Sequence, residues 1–277
     1  MSPCNLKGTY ELLTSSVPLI YYYDYEVNWG DSINKFIFES ILERRILSAN
    51  KTFNIYNREC ISGIGSVLGS RLKNYSIWGS GFLSESDSLV YKPVSLLAIR
   101  GKLSLAKLES KFGISTDIMG DPALLFKEFY HPNPNKCYQL GIIPHFKELD
   151  EKVIVNIKNY YGSDINIISP KLDVFEFADE VLKCERILSS SLHGLVLAES
   201  YGIPTARIDI SKNVLGGDFK YIDYYSGVGI DYHRVNSHSL LDLLETKSVM
   251  SASCDLKELS YSKNELINSL KAKFESF

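Results

Sequence analysis

Ile187-Leu188-Ser189-Ser190-Ser191-Leu192-His193-Gly194-Leu195-Val196-Leu197-Ala198-Glu199-Ser200-Tyr201-Gly202-Ile203-Pro204 reads as a buried strand that ends in three serines and runs into a short helix. The helix is apolar on nearly every side until Gly202 and Pro204 stop it, so it must be buried. A second strand, residues 205–210, follows, and strand, helix, strand is the repeating unit of a helix-covered parallel sheet. The first turn of the helix lies at the carboxyl end of a strand. It gathers free backbone N–H groups, serine hydroxyls and His193, a set suited to phosphate or carboxylate. A plainer role is open to the same residues, with the serines as N-caps and His193 bonded to a neighbouring loop. A serine nucleophile of the GxSxG type fits less well, because the flanking glycines are missing.

The alternation extends in both directions. Residues 18–23 read as a buried strand, and Ile33, Phe36, Ile37, Ile41 and Leu42 then recur at helical spacing to about Leu47. Between them, Asn28-Trp29-Gly30-Asp31-Ser32-Ile33-Asn34 reads as a loop at a strand's carboxyl end, where open α/β sheets hold ligands. Further strands are expected at 60–65, 76–79 and 96–100. Tyr130-His131-Pro132-Asn133-Pro134-Asn135-Lys136 interrupts every periodicity and marks a linker. Beyond it come strands at 138–143 and 166–168, a helix over 174–183 and a strand at 186–188. The expected fold is α/β, with two Rossmann-like domains, 1–130 and 131–277, facing a central cleft. Leu256, Leu259, Leu266, Ile267 and Leu270 give residues 255–277 an apolar helical face that could pack back on the N-terminal domain. No internal repeat is visible.

The 277 residues carry 30 Lys plus Arg against 33 Asp plus Glu, a net charge of −3, with 45% hydrophobic and 23% charged residues. That balance belongs to globular protein and argues against nucleic acid as a partner, while leaving room for a local basic cleft. No apolar run approaches the ~20 residues that span a bilayer. Met1-Ser2-Pro3-Cys4-Asn5-Leu6 lacks the features of a secretory signal, so a cytoplasmic location is expected, with room for peripheral contact at the inner membrane face. Cys4, Cys60, Cys137, Cys184 and Cys254 are scattered and odd in number, as expected of reduced thiols. The 18 tyrosines suit strands and cores as well as sugar-binding surfaces. No metal-ligand spacing, complete GxGxxG or Walker A lysine is present, so neither metal nor cofactor is expected.

Ser189-Ser190-Ser191-Leu192-His193-Gly194 followed by Ala198-Glu199-Ser200-Tyr201-Gly202-Ile203-Pro204 resembles the signature of the polysaccharide pyruvyl transferase family. Other segments match in the same order: Asn28-Trp29-Gly30-Asp31 with Asn34, Gly63-Ile64-Gly65-Ser66, Trp78-Gly79-Ser80-Gly81, Arg100-Gly101, Gly120-Asp121-Pro122-Ala123, Ile143-Pro144-His145 and Phe219-Lys220-Tyr221-Ile222-Asp223-Tyr224-Tyr225. No one of these is specific, but together they span residues 28–225. The resemblance implies a GT-B-like fold and transfer of pyruvate from phosphoenolpyruvate, a co-substrate, to a hexose of a bacterial exopolysaccharide or capsule repeat unit. The product would be a cyclic ketal, the acceptor a lipid-linked saccharide. Two alternatives stay open: a nucleotide-sugar glycosyltransferase of the same architecture, and a non-catalytic sugar-binding subunit of a polysaccharide assembly complex.

That chemistry needs protonation of the methylene carbon, attack by two hydroxyls and loss of phosphate. His193 suits acid/base work near neutral pH, and His145 could be a second such group or a turn cap. In relatives the position two before the histidine is often arginine; here it is Ser191. Donor binding would then fall to Ser190, Ser191, Arg100 and Lys220, the last expected in a loop, while Arg207, inside a strand, reads as structural. Asn28, Asp31 and Asn34 suit sugar hydroxyls across the cleft. Trp29, Tyr224 and Tyr225 offer flat faces for a pyranose or, equally, core packing.

Overall fold

The computed structural model describes residues 17–51, 58–69, 73–211 and 216–275. Cys4 and the rest of the N-terminal stretch lie outside them; Cys60, Cys137, Cys184 and Cys254 are free thiols. The first half runs β1 (Leu19–Tyr21), α1 (Trp29–Leu42), β2 (Leu47–Ser48), β3 (Cys60–Ser62), β4 (Tyr75–Trp78), β5 (Leu96–Ala98) and α2 (Lys102–Phe112). The second runs β6 (Leu140–Ile143), α3 (Lys152–Tyr161), β7 (Ile165–Ile167), α4 (Val174–Leu182), β8 (Ile187–Ser189), α5 (Leu192–Ser200), β9 (Thr205–Asp209), α6 (Phe219–Gly227), β10 (Ser237–Ser239), α7 (Leu240–Glu245) and α8 (Lys263–Glu275). Residues 130–137 carry neither helix nor strand and connect the halves.

Both sheets are parallel throughout. Their orders are β2-β1-β3-β4-β5 and β10-β9-β8-β6-β7. Counted within each half, both orders are 2-1-3-4-5. The chain therefore reverses direction across each sheet beside the first strand, between β1 and β3 and again between β6 and β8. Loops diverge at such a reversal and leave a crevice at the carboxyl ends of the strands. The fold is thus two Rossmann-like, GT-B-like units, as the alternation of strand and helix implied.

A continuous apolar core joins the halves. At its seam Trp29, at the start of α1, packs against Phe126 and Phe177 with ring centroids 5.3 and 5.2 Å away. Its indole donates to the carbonyl of Val174 at 2.9 Å, and its backbone N–H to that of Pro170 at 2.8 Å. Helix α5 is buried at every position, as its composition demands. Helix α8 buries Leu266 and Leu270 against the first half, where the Trp78 indole donates to the Leu266 carbonyl at 3.0 Å. Leu256, expected on the same helical face, instead lies before the helix and is exposed.

Two expected loops are helical. Helix α1 begins at Trp29, with Asn28 extended as its N-cap, and ends at Glu43 in the left-handed region, so Leu47 falls in β2. Lys220 lies in the first turn of α6, where Tyr221, Tyr224, Tyr225 and Val228 repeat at helical spacing and are all buried. Helix α6 sits close against the first half: a methyl at Gly101 would lie 1.7 Å from the Asp223 carbonyl oxygen, and one at Gly227 would lie 2.0 Å from that of Arg100.

Candidate active site

The carboxyl ends of both sheets open on one cleft of about 450 Å³. The first half lines it with Tyr21, Tyr23, Asn28 and Asp31 after β1, Ser66 after β3 and Asp87 after β4. The second half contributes His145 and Lys147 after β6, Ser191 and His193 after β8, and Lys220 after β9. One wall is therefore amide, carboxylate and phenol, and the other is imidazole and ammonium.

His193 is the second residue of α5. The first intrahelical bond of that helix, from the Leu195 N–H to the Ser191 carbonyl, is 3.3 Å long, so the N–H groups of Leu192, His193 and Gly194 precede it. Three elements hold the imidazole. Helix α5 supplies it, Gly30 of α1 lies under it, and Asp121 lies 3.6 Å from Nε2. A methyl at Gly30 would lie 1.9 Å from the His193 Nδ1, so only glycine leaves room for the ring. Asp121 caps the turn that follows it, its Oδ1 accepting from the Ala123 N–H at 2.9 Å. Its Oδ2 and the His193 Nε2 are both buried and face each other, too far apart for a hydrogen bond between them. Neither Gly30 nor Asp121 was a sequence candidate. Both were visible only as parts of short glycine-aspartate segments, because their roles arise across the seam.

Asp31 is buried in the opposite wall, where its Oδ2 accepts from the Asn28 amide at 2.8 Å. Burial raises its pKa to about 6, against the pull of His193 and the Asn28 hydrogen bond. Burial pushes His145 down to about 3, reinforced by Lys220, Lys147 and His193, so it is a neutral imidazole. Its backbone N–H donates to the Ser190 hydroxyl at 2.8 Å. Lys220 is 5% exposed. Its ammonium sits 5.1 Å from the centre of the Tyr221 ring and has no carboxylate partner among the described residues. Burial, then Arg100 and Arg207, lower its pKa to about 8. Buried Glu148 acts from beyond 4.0 Å in the opposite sense, and a buried ammonium facing a cleft with no carboxylate in contact suits an anion.

The remaining candidates are turned away from the cleft. Arg100 is fully buried behind Ser66. Its Nε donates to Asp223 Oδ2 at 2.9 Å, one Nη to the Ser66 hydroxyl at 2.7 Å and the other to the Phe82 carbonyl at 2.6 Å. Asp223 also accepts from the Ser104 N–H and hydroxyl, each at 2.7 Å. Arg100 thereby ties α6, which carries Lys220, to the first half. Ser190 donates to the buried Glu148 at 2.6 Å, and Glu148 accepts in turn from Ser211. Trp29 belongs to the seam. Asn34 is wholly buried, its amide bridging the carbonyls of Asp31 and Ile64 and the N–H of Ile64. Tyr224 and Tyr225 donate to the two oxygens of buried Glu199 at 2.9 and 2.7 Å. Arg207 pairs with Asp209 and Asp218. Tyr21 and Tyr23, read from sequence as buried strand, face the cleft, as does Phe146.

Residues 70–212 match the polysaccharide pyruvyl transferase family. The chain is 31% identical to an uncharacterized protein of Acanthamoeba polyphaga mimivirus over 229 residues, 80% of this chain and 78% of that one. It is 23% identical to the succinoglycan biosynthesis protein ExoV of Rhizobium meliloti over 213 residues, 74% of this chain, and spans 63% of that relative's length. The crystal structure of an uncharacterized Klebsiella pneumoniae protein shares the fold, with a TM-score of 0.50 at 11% identity over 84% of this chain and 98% of that one. Among the described residues no helix is long and apolar enough to cross a membrane.

Proposed function

Because the chain belongs to the polysaccharide pyruvyl transferase family, we propose that it transfers pyruvate from phosphoenolpyruvate to a hexose of an exopolysaccharide or capsule repeat unit, forming a cyclic ketal and releasing phosphate. The observation that carries this reading is the meeting, in one cleft, of a buried lysine, Lys220, with no carboxylate of the described residues within 4.0 Å, and an imidazole, His193, backed by the buried carboxylate of Asp121. Phosphoenolpyruvate is a compact trianion. Lys220, the Ser191 hydroxyl and the first-turn N–H groups of α5 would hold it. Lys220 would thus bear the charge that the arginine two before the histidine carries in relatives, and Arg100 would act by fixing the helix on which Lys220 stands.

His193, with Asp121 3.6 Å from Nε2, delivers a proton to the methylene carbon. Cationic character then develops at the adjacent carbon. One sugar hydroxyl attacks that carbon and gives up its proton, the bond to the phosphate oxygen breaks, and the second hydroxyl attacks and gives up its own proton. Of the two hydroxyl protons, one replaces that lost by His193 and the other leaves with phosphate. Asn28 and Asp31 face the acceptor from the other wall, while neutral His145, on the wall of His193, can accept a hydrogen bond but cannot serve as an acid near neutral pH.

Incubation with phosphoenolpyruvate and a panel of hexosides is expected to release inorganic phosphate and to yield an acceptor with the mass and NMR methyl signal of a pyruvyl ketal. Thermal stabilisation by UDP or GDP sugars, with none by phosphoenolpyruvate and no phosphate release, would replace this reading with a glycosyltransferase. Binding of saccharide with no turnover of either donor would leave a sugar-binding subunit.

A further inference from the structure

We infer that Tyr21, Tyr23 and Tyr25 form a stacking path from the floor of the cleft to its outer rim, and that the acceptor is a chain of sugars whose units beyond the reacting hexose lie along it. This rests on the pyruvyl transfer reading for the identity of the reacting sugar, but not for the binding of the chain. Tyr21 and Tyr23 line the cleft beside Asn28 and Asp31; Tyr21 also packs on the core of the first half, and Tyr22 between them packs on the core at the seam. Tyr25 continues the alternation outside: its ring meets that of Tyr23 at 5.4 Å between centroids and 62° between planes. It is nevertheless 66% exposed, so core packing does not account for it. Val27, 60% exposed, lies just beyond.

The presenting loop is fastened from below. Asp24 accepts from the Ser48 hydroxyl and the Asn50 amide, each at 3.0 Å, and Asn50 also donates to the Tyr22 carbonyl at 2.6 Å. An exposed aromatic on a fastened loop loses little conformational freedom when a ligand covers it. Charge selects the ligand. Beside Tyr25 the exposed carboxylate of Glu26 would repel an anionic bilayer or a polyanion but accept hydrogen bonds from hydroxyls, whereas Asp24 is committed to the fastening and to Lys51, 3.5 Å away. A neutral sugar has an apolar C–H face for the phenol rings and hydroxyls for that carboxylate.

The test compares p-nitrophenyl β-glucoside and β-galactoside with β-1,4-linked tetrasaccharide glycosides ending in the same hexoses. The wild-type protein is expected to favour the tetrasaccharides in kcat/KM. Tyr25→Ala is expected to lower the tetrasaccharide-to-monosaccharide ratio about tenfold through KM, as loss of one aromatic stack would. Tyr25→Trp should restore the ratio, which a merely structural role would not require. Saturation-transfer NMR without phosphoenolpyruvate provides the separate arm. Binding of tetrasaccharide that depends on Tyr25, in a protein that turns over no phosphoenolpyruvate, would sustain the path and overturn pyruvyl transfer. Normal ketal formation with a ratio unmoved by Tyr25→Ala would overturn the path alone, as would Tyr25-dependent binding to phosphatidylglycerol vesicles in place of saccharide.

Discussion

The two halves share a strand order and differ in what stands at the reversal point. After β1 and β4 come Asn28, Asp31 and Asp87; after β6, β8 and β9 come His145, Lys147, His193 and Lys220. The same topology thus builds two walls of opposite character. A parallel sheet of this order fixes where a ligand can sit, and the side chains at the strand ends fix what kind. On the proposed reading the second wall holds the anion and its proton donor, and the first holds neutral hydroxyls.

The largest effect expected of that division is on His193. His193→Gln keeps size and hydrogen bonding but removes the proton, and kcat should fall about 10²–10⁴-fold with the KM for phosphoenolpyruvate changed only a few-fold. Asp31→Asn, across the cleft, should act mainly on the KM for acceptor. If Asp31→Asn cost as much in kcat as His193→Gln, the division into a binding wall and a reacting wall would fail. Gly30→Ala crosses the divide. It stands on the first wall but would push the imidazole aside, so kcat should fall about 100-fold, the usual cost of misplacing a catalytic group.

Lys220→Met comes next. The KM for phosphoenolpyruvate should rise by one to two orders of magnitude, while the melting temperature at pH 7 should increase. The sign follows from linkage: a lysine held at about 8 in the folded chain against 10.5 in the unfolded one opposes folding below pH 8. That opposition fades as pH rises toward 10.5, and at pH 7 it amounts to roughly 3 kcal/mol. A melting temperature that falls with Lys220→Met would mean that Glu148 offsets the burial of the ammonium and the repulsion of the two arginines.

The strands were legible because a parallel sheet buries both faces, and short apolar runs between turn residues mark it. Edge strand β2 is only two residues long, and β10, Ser237-His238-Ser239, has no apolar residue, so neither leaves such a run. His193, His145, Ser191, Lys220, Asn28 and Asp31 were legible by another route, as polar residues at strand ends. Sequence position does not give side-chain direction, however. At the start of α1, the N-cap Asn28 and Asp31 face the cleft, while Trp29 and Asn34 face the seam and the loop after β3. Arg100 and Tyr224 carry the right chemistry but satisfy buried carboxylates, Asp223 and Glu199. Those pairings depend on contacts more than a hundred residues apart in one case and twenty-five in the other, which no local pattern encodes.

The smallest expected effect tests the same walls by pH. Phosphoenolpyruvate should bind the wild-type protein with an affinity that falls above pH 8, about tenfold per unit, as Lys220 loses the proton that burial already loosens. His145, held at about 3, adds no limb between pH 5 and 9. In Lys220→Arg the guanidinium stays charged throughout, so the alkaline fall in affinity should vanish even if the shorter reach of bidentate geometry raises the dissociation constant at pH 7. Calorimetric titration of phosphoenolpyruvate at pH 7, 8 and 9 reads both. Acceptor affinity over the same interval should stay flat, because the one carboxylate shifted toward it, Asp31 at about 6, is already ionised by pH 7. A parallel alkaline fall for both ligands would mean that Lys220 serves the two walls together, and the separation of anion from hydroxyl would then lie within one wall and not between two.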